Sequence, residues 1–137
     1  MRAVLDPNVI ISATLSPGGS PARVFRVWLE GSYELVCSPF LLEELAGALS
    51  YPKLSKHISS NESEELLQLL RGGALLVDDP AIPPEVSSSD PKDDYLIALA
   101  GKSRSVLVSG DRDLLDLSDQ IPVYSPTEFL ALIGEHT

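Results

Sequence analysis

Hydrophobic residues in this chain fall into short continuous runs, separated by longer segments in which apolar positions recur every three or four residues. Short apolar runs bounded by turn residues are typical of strands that are buried on both faces of a parallel sheet. We predict strands, the last of them short, at residues 2–5, 33–37, 74–77, 105–109 and 122–124.

The segments between these strands carry helix signals at their ends. Asn61 is placed to cap one helix, which Gly72-Gly73 is expected to end, and Ser125 with Glu128 has the spacing of a capping box at the start of another. The predicted helices are residues 8–15, 21–29, 39–49, 62–70, 91–102 and 126–133, with shorter helical pieces at 53–58 and 111–115.

Strands alternate with helices along the chain, which is the pattern of an α/β fold. We therefore predict a three-layer α/β/α arrangement with a mostly parallel, Rossmann-like sheet, in a single domain over residues 1–137. In sheets of this kind, ligands bind beyond the carboxyl ends of the strands, where the strand order reverses. The residues that follow each predicted strand are therefore the first candidates for chemistry.

Composition narrows the classes of function. The chain has 137 residues, of which 44% are hydrophobic, and this fits one compact domain with one core. Its net charge of −10 does not suit indiscriminate binding of nucleic acid, which relies on basic residues that neutralise phosphates. The single cysteine, Cys37, lies in an apolar run and is expected to be buried, which favours a cytoplasmic protein. We expect neither a signal peptide nor a membrane span, because no apolar run is long enough.

Acidic residues follow several of the predicted strands. Asp6 and Asp111 come just after the first and fourth strands, and Glu44 and Asp94 lie on the helices after the second and third. Carboxylates that gather at one edge of a sheet repel each other, and a divalent cation relieves that repulsion. Oxygen ligands suit Mg²⁺ or Mn²⁺. The pattern therefore predicts a metal-dependent enzyme that acts on phosphate, with these acids as metal ligands.

Each acid also has a purely structural interpretation. Asp6 suits a helix N-cap, Glu44 suits a solvated helix surface, and the dipole of a helix favours Asp94 in its first turn. Asp111 suits a turn. All of them together at one edge are harder to explain in this way. His57 and His136 lack the spacing of metal ligands and are predicted to be surface residues.

The motifs around these acids resemble the PIN domain family. The resemblance rests on Asp6-x-Asn8 after the first strand, Ser38–Leu45 with its Glu44, Asp94-x-x-Ile97-Ala98, and Val108-Ser109-Gly110-Asp111-x-Asp113-Leu114. It implies a Rossmann-like sheet and metal-dependent hydrolysis of RNA, with Asp6, Glu44, Asp94 and Asp111 as the acidic quartet around Mg²⁺ or Mn²⁺. It further implies auxiliary roles for Asn8, Ser109 and Asp113, and Asp93 is a neighbour that replaces Asp94 if the register shifts by one residue.

A second stretch, residues 16–23, is similar to the branch of the family that contains toxins of toxin–antitoxin systems. This similarity implies an RNA substrate, a cognate antitoxin protein as partner, and a homodimer. An excess of apolar residues in the predicted helix 21–29 also favours self-association. The expected activity is endonucleolytic cleavage of single-stranded or loop RNA.

One residue departs from the family pattern. Pro7 stands where the family usually has Thr or Ser, so that a hydroxyl and a backbone N–H are lost beside Asp6. This departure leaves open a PIN-like domain that binds RNA or a partner without cutting. A metal-dependent phosphotransferase with Asp6 as nucleophile is a further alternative, although the Asp-x-Asp signature of such phosphatases is broken by Asn8.

Overall fold

The computed structural model describes residues 1–134 and contains a five-stranded sheet whose paired strands are all parallel. The strand order is β3-β2-β1-β4-β5. The order reverses between β1 and β4, since the chain moves outward from β1 to β3 before it returns to the other side of β1. The strands are β1 Arg2–Leu5, β2 Glu34–Cys37, β3 Leu75–Leu76, β4 Val106–Val108 and β5 Val123–Tyr124.

Helices connect the strands as the sequence pattern predicted. The helix α6 packs against β1 and β4. Among the other helices, α2 packs against both α1 and α8, and α3 packs against α1. Right-handed crossovers on either side of the reversal place helices on both faces of a parallel sheet, so the predicted α/β class is confirmed. The helices are α1 Pro7–Leu15, α2 Ser20–Leu29, α3 Pro39–Leu49, α4 Pro52–Ser55, α5 Ser60–Gly73, α6 Asp94–Ser103, α7 Arg112–Leu115 and α8 Pro126–Leu132, and a 3₁₀ turn spans Pro91–Asp93.

The core lies between the sheet and these helices. The central strand β1 is buried from Ala3 to Leu5 with no exposed surface, as expected for a strand with neighbours on both edges and helices on both faces. Trp28 on α2 belongs to this core. Cys37 at the end of β2 is a buried free thiol, so its predicted burial is confirmed. His57 is exposed, as predicted, whereas His136 lies outside the described residues.

The cap predicted for α5 was wrong by two residues. Ser59, not Asn61, caps this helix, because its Oγ accepts a hydrogen bond from the Glu62 amide while the Glu62 carboxylate accepts one from the Ser59 amide. The helix also continues through Gly72 to Gly73 instead of ending before them. A side chain at Gly73 would place its Cβ 3.1 Å from the Trp28 ring, so the glycine permits α5 to approach α2 closely.

A search of the helices within residues 1–134 finds none that is both long and apolar enough to span a membrane.

Candidate metal-dependent active site

The candidate site lies at the carboxyl edge of the sheet, at the reversal between β1 and β4. The two strands pair in register, with Leu5 opposite Val108, and the Asp6 amide continues the ladder by donating to the Val108 carbonyl over 2.9 Å. Asp6 and Ser109 therefore leave the sheet side by side. This is the position at which ligands bind in sheets of this class.

Asp6 is both a helix cap and a member of the site. Its Oδ1 accepts a hydrogen bond of 3.0 Å from the Asn8 amide at the start of α1, and its Oδ2 accepts one of 2.8 Å from the Ser109 hydroxyl. Only 4% of Asp6 is exposed. Burial is the main cause that raises the pKa of Asp6, the charge of Asp111 adds to the rise, and both hydrogen bonds oppose it.

Ser109 connects Asp6 to the turn after β4. Its Oγ donates to Asp6 and accepts a hydrogen bond of 3.0 Å from the Asp111 amide, and the residue is fully buried. Asp111 in turn caps α7, where its Oδ1 accepts a hydrogen bond of 2.9 Å from the Asp113 amide. The auxiliary residues Asn8 and Asp113 thus contact the acids through their backbone amides.

The structure brings Asp93 into this cluster. Burial is the main cause that raises the pKa of Asp93 to about 7, and a hydrogen bond with the Asp111 carboxyl and the charge of that group also raise it. The charges of Asp6 and Asp90 act in the same direction. One carboxylate oxygen of Asp93, Oδ2, is buried and has no hydrogen-bond partner among residues 1–134. Like charges that crowd in this way cannot all ionise without compensation.

Asp94, the neighbour that the sequence pattern favoured, has a different contact. Its Oδ1 accepts a hydrogen bond of 2.9 Å from the amide of Ser88, a buried residue in the loop between β3 and α6. The hydroxyl of Ser88 bonds to the backbone of Asp90, so Asp94 and Ser88 together fix the end of this loop. In this structure Asp93 is therefore the one of the two neighbours on which the charges of Asp6 and Asp111 act.

Glu44 lies at the rim of the cluster. It is exposed on α3, and its charge acts on the half-buried hydroxyl of Tyr95. Burial is the first cause that raises the pKa of Tyr95, and the charges of Asp6, Glu44, Asp93 and Asp79 add to it. Tyr95 therefore lies among four carboxylates. Sequence reasoning did not assign it a role, although it directly follows the acidic pair.

Asp79 is a second residue that sequence reasoning missed. Its Oδ2 accepts a hydrogen bond of 2.9 Å from the Phe40 amide in the first turn of α3, and its Oδ1 is buried with no partner in the described part of the chain. Asp79 follows β3 closely, just as Asp6 follows β1. The rule that acids after strand ends point to the site would have found it.

The donor set fits a divalent cation of the Mg²⁺ class. Carboxylate oxygens are the ligands that this class prefers, and the unpartnered oxygen of Asp93 beside Asp6 and Asp111 is an available ligand. In this conformation, no three acidic, histidine or cysteine side chains within residues 1–134 are close enough together to enclose an ion. Carboxylates without a cation between them repel each other. The charge effects on Asp93 and its unpartnered oxygen therefore still point to a cation at this place.

Two clefts differ in their relation to the acids. One of about 360 Å³ is lined by Asp6, Asn8 and Asp111 together with the first turns of α2 and α8. A larger cleft of about 750 Å³ lies between α6, the loop of residues 80–86 and the start of β4, and none of the clustered acids lines it. Of these two clefts, the smaller one reaches the clustered acids, at Asp6 and Asp111.

Known proteins resemble this chain in sequence and in fold. The family described as the PIN domain matches residues 2–113. An uncharacterized protein of Methanocaldococcus jannaschii is 29% identical, and the alignment covers 95% of this chain and 90% of that protein.

Two solved structures share the fold. One is VapBC2 from Rickettsia felis, whose structure was solved with a DNA fragment from its promoter. It superposes with a TM-score of 0.59 and 15% identity, and the alignment covers 91% of this chain and 98% of that one. PAE2754 from Pyrobaculum aerophilum superposes with a TM-score of 0.63 and 16% identity, covering 96% and 88%.

Proposed function

Because this chain belongs to the PIN domain family, whose members are generally nucleases, we propose that it is a Mg²⁺- or Mn²⁺-dependent endoribonuclease that hydrolyses RNA phosphodiester bonds. The observation that carries the proposal is the meeting of Asp6, Asp93 and Asp111 at the reversal of strand order, with an unpartnered buried oxygen on Asp93. We infer that these acids bind a divalent cation and, through it, a phosphate, because carboxylate oxygens are the ligands that such cations prefer.

Asp6, Asp93 and Asp111 are the residues to which we assign the cation, and Glu44 extends the site at its rim. A bound divalent cation supplies a reactive water at neutral pH and neutralises charge on the phosphate. The Ser109 hydroxyl donates a hydrogen bond to the Asp6 carboxylate and accepts one from the Asp111 amide. These two bonds keep both acids at a fixed separation. Asp94 positions the preceding loop through Ser88.

The one serine of the cluster, Ser109, is fully buried, and its hydroxyl is already bonded to Asp6 and to the Asp111 amide. A buried hydroxyl with both partners in place does not reach a phosphate, so we assign the attack to a water molecule. Attack by water leaves a 5′-phosphate and a 3′-hydroxyl, because the 2′-hydroxyl of the RNA takes no part. Products that end in a 2′,3′-cyclic phosphate would contradict this route.

We further propose that the chain acts in the cytoplasm as the toxin of a toxin–antitoxin pair and that it forms a homodimer. The support is the similarity of residues 16–23 to that branch of the family, together with the shared fold of VapBC2. Leu29 at the end of α2 is 54% exposed and offers apolar surface for self-association. Light scattering at micromolar concentration tests the dimer, and a monomer at all concentrations would exclude it.

The test of catalysis is cleavage of single-stranded and loop-containing RNAs by the purified protein. We expect cleavage with Mg²⁺ or Mn²⁺, none in EDTA, and none by Asp6→Asn, with product ends as stated above. Cleavage that persists in EDTA or in Asp6→Asn would come from a contaminating nuclease or from another mechanism, and would overturn the proposal.

A second candidate function rests on Pro7. This residue is buried at the first position of α1, where its missing N–H leaves no intrahelical bond unmade, but it also offers no hydroxyl next to Asp6. The alternative is therefore a PIN-like domain that binds without cutting. If neither the wild type nor Pro7→Thr cleaves any RNA with Mn²⁺ present, this alternative replaces the first.

A further inference from the structure

An aromatic pair lies beside the acid cluster, because Tyr95, whose hydroxyl feels the charges of the acids, contacts Phe40. Phe40 is the second residue of α3, and its ring meets that of Tyr95 edge to face, with centroids 4.6 Å apart and an interplanar angle of 81°. Phe40 is 41% exposed, so part of its ring is open to solvent. An edge-to-face contact leaves at least one face of the Phe40 ring uncovered by Tyr95.

The position of this pair is fixed from two sides. Asp79 accepts a hydrogen bond from the Phe40 amide, which holds the first turn of α3 against the residues that follow β3. Glu44 lies one turn after Phe40 on the same face of α3, and Tyr95 follows the Asp93-Asp94 pair. The Phe40 ring therefore borders the acids and is held by the framework that positions them.

The chain needs a way to hold RNA that does not depend on basic residues. It has 20 acidic residues against 10 basic ones, and neutralisation of phosphates by Lys and Arg is the usual source of affinity. Stacking of unpaired bases on aromatic rings is the other main source, and it contributes about 1–3 kcal/mol per base. It requires an exposed aromatic face near the acids, and the Phe40 ring is partly exposed and contacts Tyr95.

We propose that Phe40, supported by Tyr95, is a stacking platform for an unpaired nucleobase next to the phosphate that reaches the acid cluster. This inference rests on the proposed function and deepens it. It makes the substrate single-stranded at the cut, because a base in a duplex is not free to stack on a side chain. It also gives α3 two roles, with Phe40 binding a base and Glu44 extending the metal site.

Binding is measured with a single-stranded RNA that carries 2-aminopurine, whose fluorescence falls when the base stacks on an aromatic ring. The protein carries Asp6→Asn and Mg²⁺ is present, so that the strand stays intact. We expect quenching on binding, and a Kd raised about tenfold by Phe40→Ala, in line with the worth of one stacked base. Phe40→Trp is expected to bind the RNA as tightly as the Asp6→Asn protein that has Phe40.

Phe40→Leu separates stacking from packing, because it keeps an apolar side chain against Tyr95 but has no aromatic face. We expect it to lose as much affinity as Phe40→Ala while its Tm stays close to that of the parent. Tyr51→Ala is the matched control, since Tyr51 is an aromatic residue that is 67% exposed outside the site, and its Kd is expected to be unchanged. The proposal is overturned if Phe40→Ala and Phe40→Leu bind like their parent, or if an abasic strand binds as tightly as the intact one.

Cleavage by the protein with Asp6 intact separates this inference from the proposed function. We expect Phe40→Ala to raise KM about tenfold with little change in kcat, because a flanking base is bound equally in the ground state and the transition state. Cleavage with an unchanged KM in Phe40→Ala would overturn the platform and leave the ribonuclease standing. Binding that depends on Phe40, without cleavage of any RNA, would support the platform and overturn the ribonuclease.

Discussion

The carboxyl groups of Asp93 and Asp94 are neighbours in the chain but lie in different surroundings. Asp93 lies beside Asp111 and has a buried oxygen without a partner, whereas Asp94 receives the amide of Ser88. The difference predicts different chemical roles for the two residues.

We expect Asp93→Asn to lower the rate of RNA cleavage by about a hundredfold or more, since it removes a proposed ligand. Asp94→Asn is expected to have a much smaller effect, because the amide oxygen of asparagine still accepts the Ser88 N–H. Single-turnover cleavage measures the loss of rate in each variant, and calorimetric titration with Mn²⁺ measures the loss of metal affinity. Equal losses in both variants, or a larger one in Asp94→Asn, would return Asp94 to the ligand set.

The raised pKa of Asp93 predicts a pH dependence of stability in metal-free protein. The folded state holds the Asp93 proton up to about pH 7, while the unfolded state releases it near pH 4. Between these values the folded state binds more protons, so this group's contribution to stability is full below pH 4 and is lost as the pH rises through 7.

The variant Asp93→Asn, which cannot ionise, should therefore be more stable than the wild type at pH 8 in EDTA. Solvent screening at this partly exposed group limits the gain to about 1 kcal/mol, or about 3 °C in Tm. The difference in Tm between Asp93→Asn and the wild type should become smaller towards pH 5, and thermal melts at pH 5 and pH 8 measure it. A gap of constant size would mean that proton binding by Asp93 is not its cause.

Sequence predicted the region of the site but not the choice between these two acids. The helix dipole favours a negative charge at Asp93 and Asp94 alike. The deciding contact comes from Ser88, in a loop without periodic pattern, whose path cannot be derived from hydrophobic spacing. Asp6 was easier, because the end of an apolar strand fixes its position directly.

At the scale of elements, the residue that caps a helix is also difficult to choose from sequence alone. A cap is chosen by the geometry of a few backbone groups, and Ser59 and Asn61 are both good capping residues. Ser59 prevails because Glu62 stands three positions later and completes the capping box. The ranges of β1 and α3 were predicted correctly, whereas the other four strands are each one or two residues shorter than expected.

We expect Ser59→Ala to reduce the free energy of unfolding by about 1 kcal/mol, because the Glu62 amide loses its acceptor at the start of α5. Asn61→Ala is the matched control and should leave stability within about 0.5 kcal/mol. Urea denaturation measures both. The assignment of the cap is wrong if the two variants are equally destabilised or if Asn61→Ala is the less stable.

At the scale of the whole molecule, the order of the strands is what sequence left open. Alternation of strands and helices predicts a parallel sheet, but it does not say which strands are neighbours, because that depends on contacts between distant segments. The pairing of β1 with both β2 and β4 places Asp6 beside Ser109 and Asp111. The candidate site is a product of this topology.

The cluster predicts that divalent cations stabilise the folded protein. A ligand that binds only the native state adds about 2.7 kcal/mol at a hundred times its Kd, so we expect Mn²⁺ and Mg²⁺ to raise Tm by several degrees. Asp6→Asn should reduce this rise, whereas Glu65→Gln, which removes an exposed acid on α5, should not. Equal rises in all three proteins would indicate nonspecific binding to an acidic surface.

The hydrogen bond from Ser109 to Asp6 spans 103 positions of the chain, and this distance has a consequence for biosynthesis. Because synthesis runs from the amino end, Ser109 leaves the ribosome 103 residues after Asp6. A growing polypeptide that has not yet reached β4 has no neighbour for that edge of β1, and its acids have no common place to meet. Under the proposed function, a messenger in translation therefore meets no assembled acid cluster until the segment from Val106 to Asp111 has been made.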